Sequence, residues 1–455
     1  MLRATRKAKL NCVFIFRCSL SLAILVFLGC QNDTLNKIEA LIHSGMPREA
    51  AGKLEAFIET APKNPKARML LGKAYNELGR HNDAIEQFQK ASLLYTGKPE
   101  KRIAARLELA RTYLIFGDRD SAFRILNIVQ RGTSDSKVLQ KIIELAGDSY
   151  KTKQLTRGNS DNYSPIFSPD STQIAFASFR LDNGEIYFMD LNGRIQRRVT
   201  YSTDFNDDSP AFLKTPNHIF YSSEPKSSRE VKIVLQSSGS TPIYTGFNVT
   251  HIHSKTTRSV IPISFGVRVP RSSPSGNQIV YESNTDGNLE LYLLDLNGLD
   301  LAQITPEKIK PKRLTHNETD EGSPAFFPDG KRIVFVSSRD DVHQLYTMKI
   351  DGQNEIHFNP NRYDCYNPTV SPDGKTIAYV SARDADWEIH LINSDGKNER
   401  RITNDIGRSI QPAFSSDGRY IAFVSDRSDN FHIYLMDLNK PISREDLVKR
   451  LQQKG

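Results

Sequence analysis

The spacing of apolar positions changes near residue 150, and the change predicts two kinds of secondary structure. In "MLLGKAYNELGRHNDAIEQFQKA" (residues 69–91), apolar and small residues recur three or four positions apart, which indicates amphipathic helices. Later runs such as "IVFVS" and "IAYVS" are continuously apolar and are bounded by polar turns. Such runs are typical of strands that are covered on both faces. We therefore predict an α + β multidomain chain, with an α-helical solenoid first and an all-β domain after it.

The helical part contains a repeat of 34 to 38 residues. Tyr75, Gly79, Ala84 and Phe88 have counterparts of the same kind one period earlier and one period later: Leu41, Gly45, Ala50 and Leu54, then Tyr113, Gly117, Ala122 and Leu126. This resembles the tetratricopeptide pattern, in which small residues let paired helices pack closely. We assign three repeats and a capping helix, "SKVLQKIIELAGDSY", to residues 35–150. Such arrays usually bind a protein or peptide in a groove, although a plain spacer remains the alternative.

The second part repeats a β unit six times. The proline that opens each unit recurs at spacings of 45, 60, 54, 44 and 44 residues: Pro165, Pro210, Pro270, Pro324, Pro368 and Pro412. Asp-Gly and Asn-Gly turns join the apolar runs within each unit, and they are strong hairpin signals. Four strands joined by hairpins at this period form a propeller blade. The sequence predicts a six-bladed propeller over residues 151–440, with an insertion in unit 2 running through "TGFNVTHIHSKTTRSVIPISFGVR" (residues 245–268).

The propeller is expected to close through its N-terminal segment. Units 1, 3 and 5 end in "RRVT", "KRLT" and "RRIT", whereas unit 6 has no such last strand. A similar stretch, "KQLT" (Lys153 to Thr156), stands before unit 1. We predict that it completes the last blade and so removes exposed sheet edges. A short helix is predicted over residues 441–455.

The first 29 residues have the features of an export signal. Five basic residues precede the apolar stretch "CSLSLAILVFLG" and no acidic residue is present, as in a signal peptide. The stretch "VFLGC" resembles a bacterial lipobox, which implies cleavage before Cys30 and lipidation of that cysteine. Residues 30–34 would form a tether. Gln31 resembles the pattern of lipoproteins sent to the outer membrane. An uncleaved signal anchor and a plain secretory signal are the alternatives.

Charge and cysteine content narrow the partners. The chain has a net charge of +8, but five of these charges lie in the leader. A nearly neutral body gives no electrostatic case for nucleic-acid binding.

Only Cys365 remains in the folded body, so no intramolecular disulfide can form there. A single cysteine of this kind is more often a small buried apolar residue than a nucleophile.

The β repeat resembles that of the TolB-type propeller, the periplasmic component of the Tol-Pal envelope system. The shared phrase "P-x-F-S-P-D-G-x-x-I-A-F-x-S-x-R", followed by "IY-x-MDL-x-G", runs from Pro165 to Thr200 and again from the later prolines. The resemblance implies six blades and a periplasmic, non-enzymatic scaffold without a cofactor. It also implies binding of envelope proteins, such as Pal-like lipoproteins, through the propeller face and the helical groove. TolB itself has an α/β domain before its propeller, whereas tetratricopeptide repeats stand there in this chain.

Three groups of residues are candidates for chemistry. The Ser-x-Arg pairs after the second strands recur, which indicates a structural role through loop carbonyls or through Asp340, Asp384 and Asp429. His251 and His253, in "THIHS", could begin a metal site, because some TolB-like propellers are lyases with a histidine-bound metal. The run "ESNTDGNLE" (residues 282–290) superficially resembles a calcium loop but lacks the bidentate Glu of an EF-hand. The alternative function is therefore a metal-dependent carbohydrate-active enzyme. No nucleophile elbow or phosphate-binding glycine loop is present.

Overall fold

The computed structural model describes residues 32–215, 217–226, 245–263, 266–358, 363–383, 386–405 and 407–453. The chain divides into two compact units, one formed by Met1–Leu145 with Arg444–Gly455 and the other by Ala146–Ser443. The leader and Cys30 lie outside the described residues, so the predicted signal and lipid anchor stay predictions. Within the described ranges, no helix combines the length and the apolarity that crossing a membrane requires.

The first unit consists of antiparallel helix pairs. Its described helices are α1 (residues 32–43), α2 (Pro47–Thr60), α3 (Pro65–Glu77), α4 (His81–Leu94), α5 (Pro99–Ile115), α6 (Arg119–Arg131), α7 (Ser136–Ala146) and α8 (Arg444–Gln453). Gly72 of α3 faces the Phe88 ring of α4, where a Cβ atom would come within 2.7 Å of the ring. The small residue therefore sets the helix spacing, as the repeat pattern predicted. The C-terminal helix α8 packs on α6.

The second unit contains, within the described residues, six four-stranded antiparallel sheets. Blade 1 consists of β2 (Asn162–Phe167), β3 (Gln173–Ser178), β4 (Glu185–Asp190) and β5 (Arg197–Arg198). Blade 2 consists of β6 (Phe205–Phe212), β7 (His218–Pro225), β8 (Gly246–His251) and β9 (Thr257–Ile261). Blade 3 consists of β10 (Val267–Ser272), β11 (Gln278–Ser283), β12 (Glu290–Asp295) and β13 (Lys312–Arg313).

Blades 4 to 6 follow the same plan. Blade 4 consists of β14 (Glu321–Phe326), β15 (Arg332–Ser337), β16 (Gln344–Lys349) and β17 (Ile356–His357). Blade 5 consists of β18 (Cys365–Val370), β19 (Thr376–Arg383), β20 (Asp386–Asn393) and β21 (Arg400–Arg401). Blade 6 consists of β22 (Ser409–Phe414), β23 (Tyr420–Ser428), β24 (Asn430–Pro441) and β1 (Tyr150–Gln154). The predicted fold class, a helical repeat array followed by a six-bladed propeller, is confirmed.

The second strand of each blade is buried on both faces, as its continuous apolar run predicted. Ile333 and Phe335 of β15 pack against blade 3, whereas Val334 and Val336 pack against blade 5. Cys365 lies in the second of these clusters and is 1% exposed, which confirms that it is a small buried residue. The hydrophobic core is thus a series of layers between blades rather than one central cluster.

The predicted closure is also confirmed. β1 pairs antiparallel with β24, with Lys153 opposite Leu435, and the amide of Leu155 donates to the carbonyl of Ile433 at 2.8 Å. The strand begins three residues before the predicted "KQLT" segment. Leu155 then packs among residues of blades 6 and 1. The Asn-Gly turn of blade 1 covers it, and Gly193 is required there because a Cβ atom would lie 2.3 Å from the Leu155 carbonyl oxygen.

One prediction within the propeller is wrong. Residues 245–268 are not an insertion, because they supply β8, β9 and the start of β10. Phe247 and Val249 are buried among residues of blades 2 and 3. The additional residues of this blade lie between β7 and β8 instead. The two strands were missed because the stretch of sequence between β7 and β8 moves them away from the usual 44-residue period.

Candidate functional site

The six innermost strands surround a central channel, which is the natural candidate site of the propeller. Each first strand contacts the first strand of the next blade, from β2 through β6, β10, β14, β18 and β22 and back to β2. Because this chain of contacts closes, the six strands form a ring around a common axis. Side chains and backbone groups that leave the sheets on this side line the channel.

Every innermost strand carries a β-bulge immediately before the proline that opens its sequence unit. The bulge residues have φ angles between 46° and 53°: Ser164, Ser209, Val269, Ser323, Asn367 and Gln411. Strand register shifts at the same place in each blade. Such a conformation costs on the order of 1–3 kcal/mol for a residue other than glycine. It turns backbone amides out of the strand ladder, and bulges of this kind are frequent next to binding sites.

Side chains of neighbouring elements accept hydrogen bonds from these bulges. The amide of Ser164 in blade 1 donates to Oε1 of Gln411 in blade 6 at 2.8 Å. The amide of Ser323 in blade 4 donates to Oε1 of Glu282 in blade 3 at 2.6 Å. The bulges therefore join adjacent blades around the channel. No sequence signal indicated them, because the residue before a proline normally prefers an extended conformation.

The residue two positions before each proline of the innermost strands differs between two groups of blades. In blades 5, 6 and 1 this position is occupied by Tyr366, Ile410 and Tyr163, which pack together with Phe431. Trp387 stacks on Tyr366 with ring centroids 4.7 Å apart. We call these residues the aromatic sector. The corresponding residues of blades 2, 3 and 4 are Asp208, Arg268 and Gly322.

The charged sector consists of Asp208, Arg268, Arg271 and Glu282, from blades 2 and 3. Nε of Arg268 donates to Oε2 of Glu282 at 2.8 Å. Burial raises the pKa of Asp208, while the amide of Ser209 lowers it by hydrogen bonding. At these innermost positions the ring is thus apolar in blades 5, 6 and 1 and charged in blades 2 and 3.

The recurrent Ser-x-Arg pairs form structural clamps, and the ion pairs of Arg339 and Arg427 go to carboxylates other than the predicted Asp340 and Asp429. The arginine Nε donates to the serine two residues earlier at 2.7–3.0 Å: Arg180 to Ser178, Arg339 to Ser337, Arg383 to Ser381 and Arg427 to Ser425. Nη2 of Arg339 then donates to Glu321 at 2.8 Å, whereas Asp340 accepts from the Tyr346 hydroxyl. Asp384 lies outside the described residues.

The two histidines singled out in the sequence lie on blade 2. His251 ends β8 and its ring centroid is 6.0 Å from that of His253 in the following turn. The structure adds His218 of β7, whose ring is 5.0 Å from that of His251 and which sequence analysis missed. Nδ1 of His251 accepts from the amide of Ser254 at 3.1 Å. Across the described part of the chain, no three or more His, Cys, Asp or Glu side chains are grouped so that they could hold a metal ion.

The calcium-like run does not gather its carboxylates around one point. Asp286 and Glu290 both accept from the guanidinium of Arg313, at 2.8 and 2.9 Å. Glu282 instead belongs to the charged sector of the channel. The alternating acidic pattern therefore reflects carboxylates that pair with two arginines, Arg313 for Asp286 and Glu290, and Arg268 for Glu282.

The helical unit has a cleft of about 220 Å³ on one side of its repeats. Its lining comes from α1, α3 and α5 and from the end of α4: Glu39, Lys66, Met69, Leu70, Lys73, Tyr95, Lys101 and Ala104. We call this the groove. Lys66 pairs with Glu39 at 3.4 Å. The remaining lysines make the groove positively charged beside an apolar floor.

The chain contains a helical repeat array and a six-bladed propeller. The innermost strands of the propeller carry apolar residues in blades 5, 6 and 1 and charged residues in blades 2 and 3. Two family models match the chain. The TolB beta propeller domain matches residues 245–363 and 353–445, and the tetratricopeptide repeat matches residues 41–100. The described fold agrees with both matches, since a helical repeat array is followed by a six-bladed propeller.

Solved structures similar to the chain come from proteins with different activities. A TolB of Agrobacterium tumefaciens is 18% identical, with a TM-score of 0.46, covering 63% of this chain and 96% of that chain. TolB of Acinetobacter baumannii is 18% identical, with a TM-score of 0.42 and coverages of 70% and 71%. An oligogalacturonate lyase of Vibrio parahaemolyticus is 14% identical, with a TM-score of 0.43 and coverages of 64% and 95%. No activity follows from these likenesses.

Proposed function

We propose that the protein is a non-enzymatic scaffold of the bacterial envelope, which binds one polypeptide in its helical groove and another at its propeller face. The groove carries this proposal, because side chains from three successive repeats converge there on one apolar and basic surface. Tetratricopeptide arrays bind polypeptides along such surfaces. A Pal-like envelope lipoprotein is the partner that the TolB resemblance implies for the propeller face.

The charge of the groove favours an acidic segment. Lys73 and Lys101 have no carboxylate within 4.0 Å among the described residues, while Met69 and Leu70 form the apolar floor between them. An amphipathic segment with acidic and apolar side chains would complement both features. Attraction by lysines at a half-exposed surface adds to the association rate and to specificity more than to affinity.

Crosslinking in cells tests the scaffold. A photoreactive amino acid at Lys73 should capture an envelope protein, because the side chain enters the groove. The same amino acid at Leu93 of α4, which is 76% exposed and lies outside the groove lining, is the matched control and should capture none. Absence of any protein adduct both at Lys73 and at positions in the channel would contradict the scaffold function.

We further propose that the protein is exported and anchored to a membrane, the outer one, through a lipid on Cys30. The basic and apolar leader followed by Gly29-Cys30 supports this. Metabolic labelling with a fatty acid should mark the wild-type protein and the Cys18→Ser control, but not Cys30→Ser. Equal labelling of all three proteins would show that Cys30 carries no lipid.

A further inference from the structure

Arg271 lies on the innermost strand β10, at a position where the other blades carry no charge. It follows the proline of β10, and the equivalent residues of the other blades are neutral: Ile166, Ala211, Ala325, Thr369 and Ala413. Five of the six blades therefore form without an ionisable side chain at this position. Blade architecture does not explain the charge.

The guanidinium of Arg271 also lacks the partners that similar arginines have. Among the described residues, it makes one hydrogen bond, which Nη1 donates to the Pro270 carbonyl at 3.1 Å. Six other arginines of the propeller pair with a carboxylate: Arg198 with Glu185, Arg268 with Glu282, Arg313 with Glu290, Arg339 with Glu321, Arg383 with Glu399 and Arg427 with Asp148. Among the described residues, no carboxylate lies within 4.0 Å of Arg271.

The nearest acidic groups are already occupied. Glu282 accepts from Arg268 and from the amide of Ser323, and Asp208 accepts from the amide of Ser209. Burial lowers the pKa of Arg271, and the negative charges of Glu282 and Asp208 oppose that shift. A half-buried cation without a direct partner is costly to keep, which is the usual situation of a group that awaits a ligand.

We propose that Arg271 binds a carboxylate carried by the polypeptide that docks at the propeller face. The planar guanidinium offers two parallel donors that match a carboxylate. Asp208 and Glu282 would repel a doubly charged phosphate more strongly than a singly charged carboxylate. This inference rests on the proposed scaffold function and names the chemistry of its channel site.

A stability comparison separates a ligand-binding role from a structural one. Arg271→Met should leave the thermal midpoint of the full-length protein unchanged or raise it, because the substitution removes an unpaired buried charge. Arg339→Met is the matched control and should lower the midpoint by about 5–10 °C, because it leaves the buried Glu321 carboxylate without its arginine partner. A loss of similar size in Arg271→Met would show that this arginine is structural and would overturn the proposal.

Calorimetry on the same proteins tests the ligand. N-acetylglutamate amide should bind the wild-type chain, whereas its neutral counterpart, N-acetylglutamine amide, should not. Arg271→Met should weaken binding of the acidic probe about 30-fold or more. Arg258→Met, which changes an exposed arginine of β9, should leave it unchanged. Absence of saturable binding, or equal binding of both probes, would refute the site.

The source of the carboxylate is tested in cells. A photoreactive amino acid at Thr369, the blade 5 equivalent of Arg271, should yield a protein adduct if a polypeptide enters the channel. Binding of the acidic probe without any protein adduct at Thr369 would assign the site to a small carboxylate and overturn the polypeptide part. A protein adduct at Lys73 but none at Thr369 would leave the groove function standing and reject only the channel inference.

Discussion

Deleting Tyr150–Gln154 is expected to open the propeller and to lower its thermal midpoint on the order of 10–20 °C. These residues form the outer strand of blade 6 and pair with β24 along their length. Removing them loses about five backbone hydrogen bonds at roughly 1 kcal/mol each, and one kcal/mol corresponds to about 2–4 °C in a domain of comparable size. The deletion also exposes the unpaired edge of β24, which can then pair with other chains.

Calorimetry with size-exclusion chromatography measures both consequences. The deletion variant should unfold earlier and should associate as its concentration rises. Lys153→Ala is the matched control, since it removes the exposed side chain that bonds to Asn192 and keeps the backbone pairing. It should change the midpoint by no more than about 1–2 °C. An unchanged midpoint in the deletion variant would show that closure does not depend on β1.

Asp148→Ala is expected to cost about 3–5 kcal/mol, which is the second large effect. Nη1 and Nη2 of Arg427 reach the Asp148 carboxylate at 2.8 and 3.3 Å, and both side chains are 9% exposed. Without Asp148, the buried guanidinium keeps neutral acceptors in Ser409 and Ser425, and its ion pair with Asp405 is longer, at 3.4 Å. The substitution leaves a buried charge poorly compensated, just before the closing strand.

A double variant identifies the cause of that loss. Asp148→Ala combined with Arg427→Leu removes both charges and should recover part of the lost stability, because no uncompensated cation remains. Urea unfolding of the wild type, both single variants and the double variant gives the coupling between the two residues. If the double variant loses the sum of the two single losses, the two side chains act independently and the ion-pair explanation is wrong.

Several features were predictable because they follow from patterns that repeat along the chain. Three helix pairs were predictable from small and large residues one period apart, since Gly72 and Phe88 meet within one repeat. The six blades followed from hairpin turns between apolar runs, and the closing strand from one missing segment in unit 6. Blade 2 shows where this reasoning stops, because the additional residues between β7 and β8 shifted β8 and β9 out of period and made them look like an insertion.

The channel and its partners were decided by the tertiary structure. Asp148 and Arg427 are 279 residues apart, so no local pattern joins them, and the clamp of Arg339 uses Glu321 from a neighbouring strand rather than the nearby Asp340. The bulges before the prolines vary in residue type and oppose the usual preference of that position. Arg271 is recognisable as an arginine without an ion pair among the described residues only in the folded ring, because its acidic neighbours Asp208 and Glu282 come from different blades. Periodicity along the chain therefore determined the architecture, whereas contacts between distant residues determined the site.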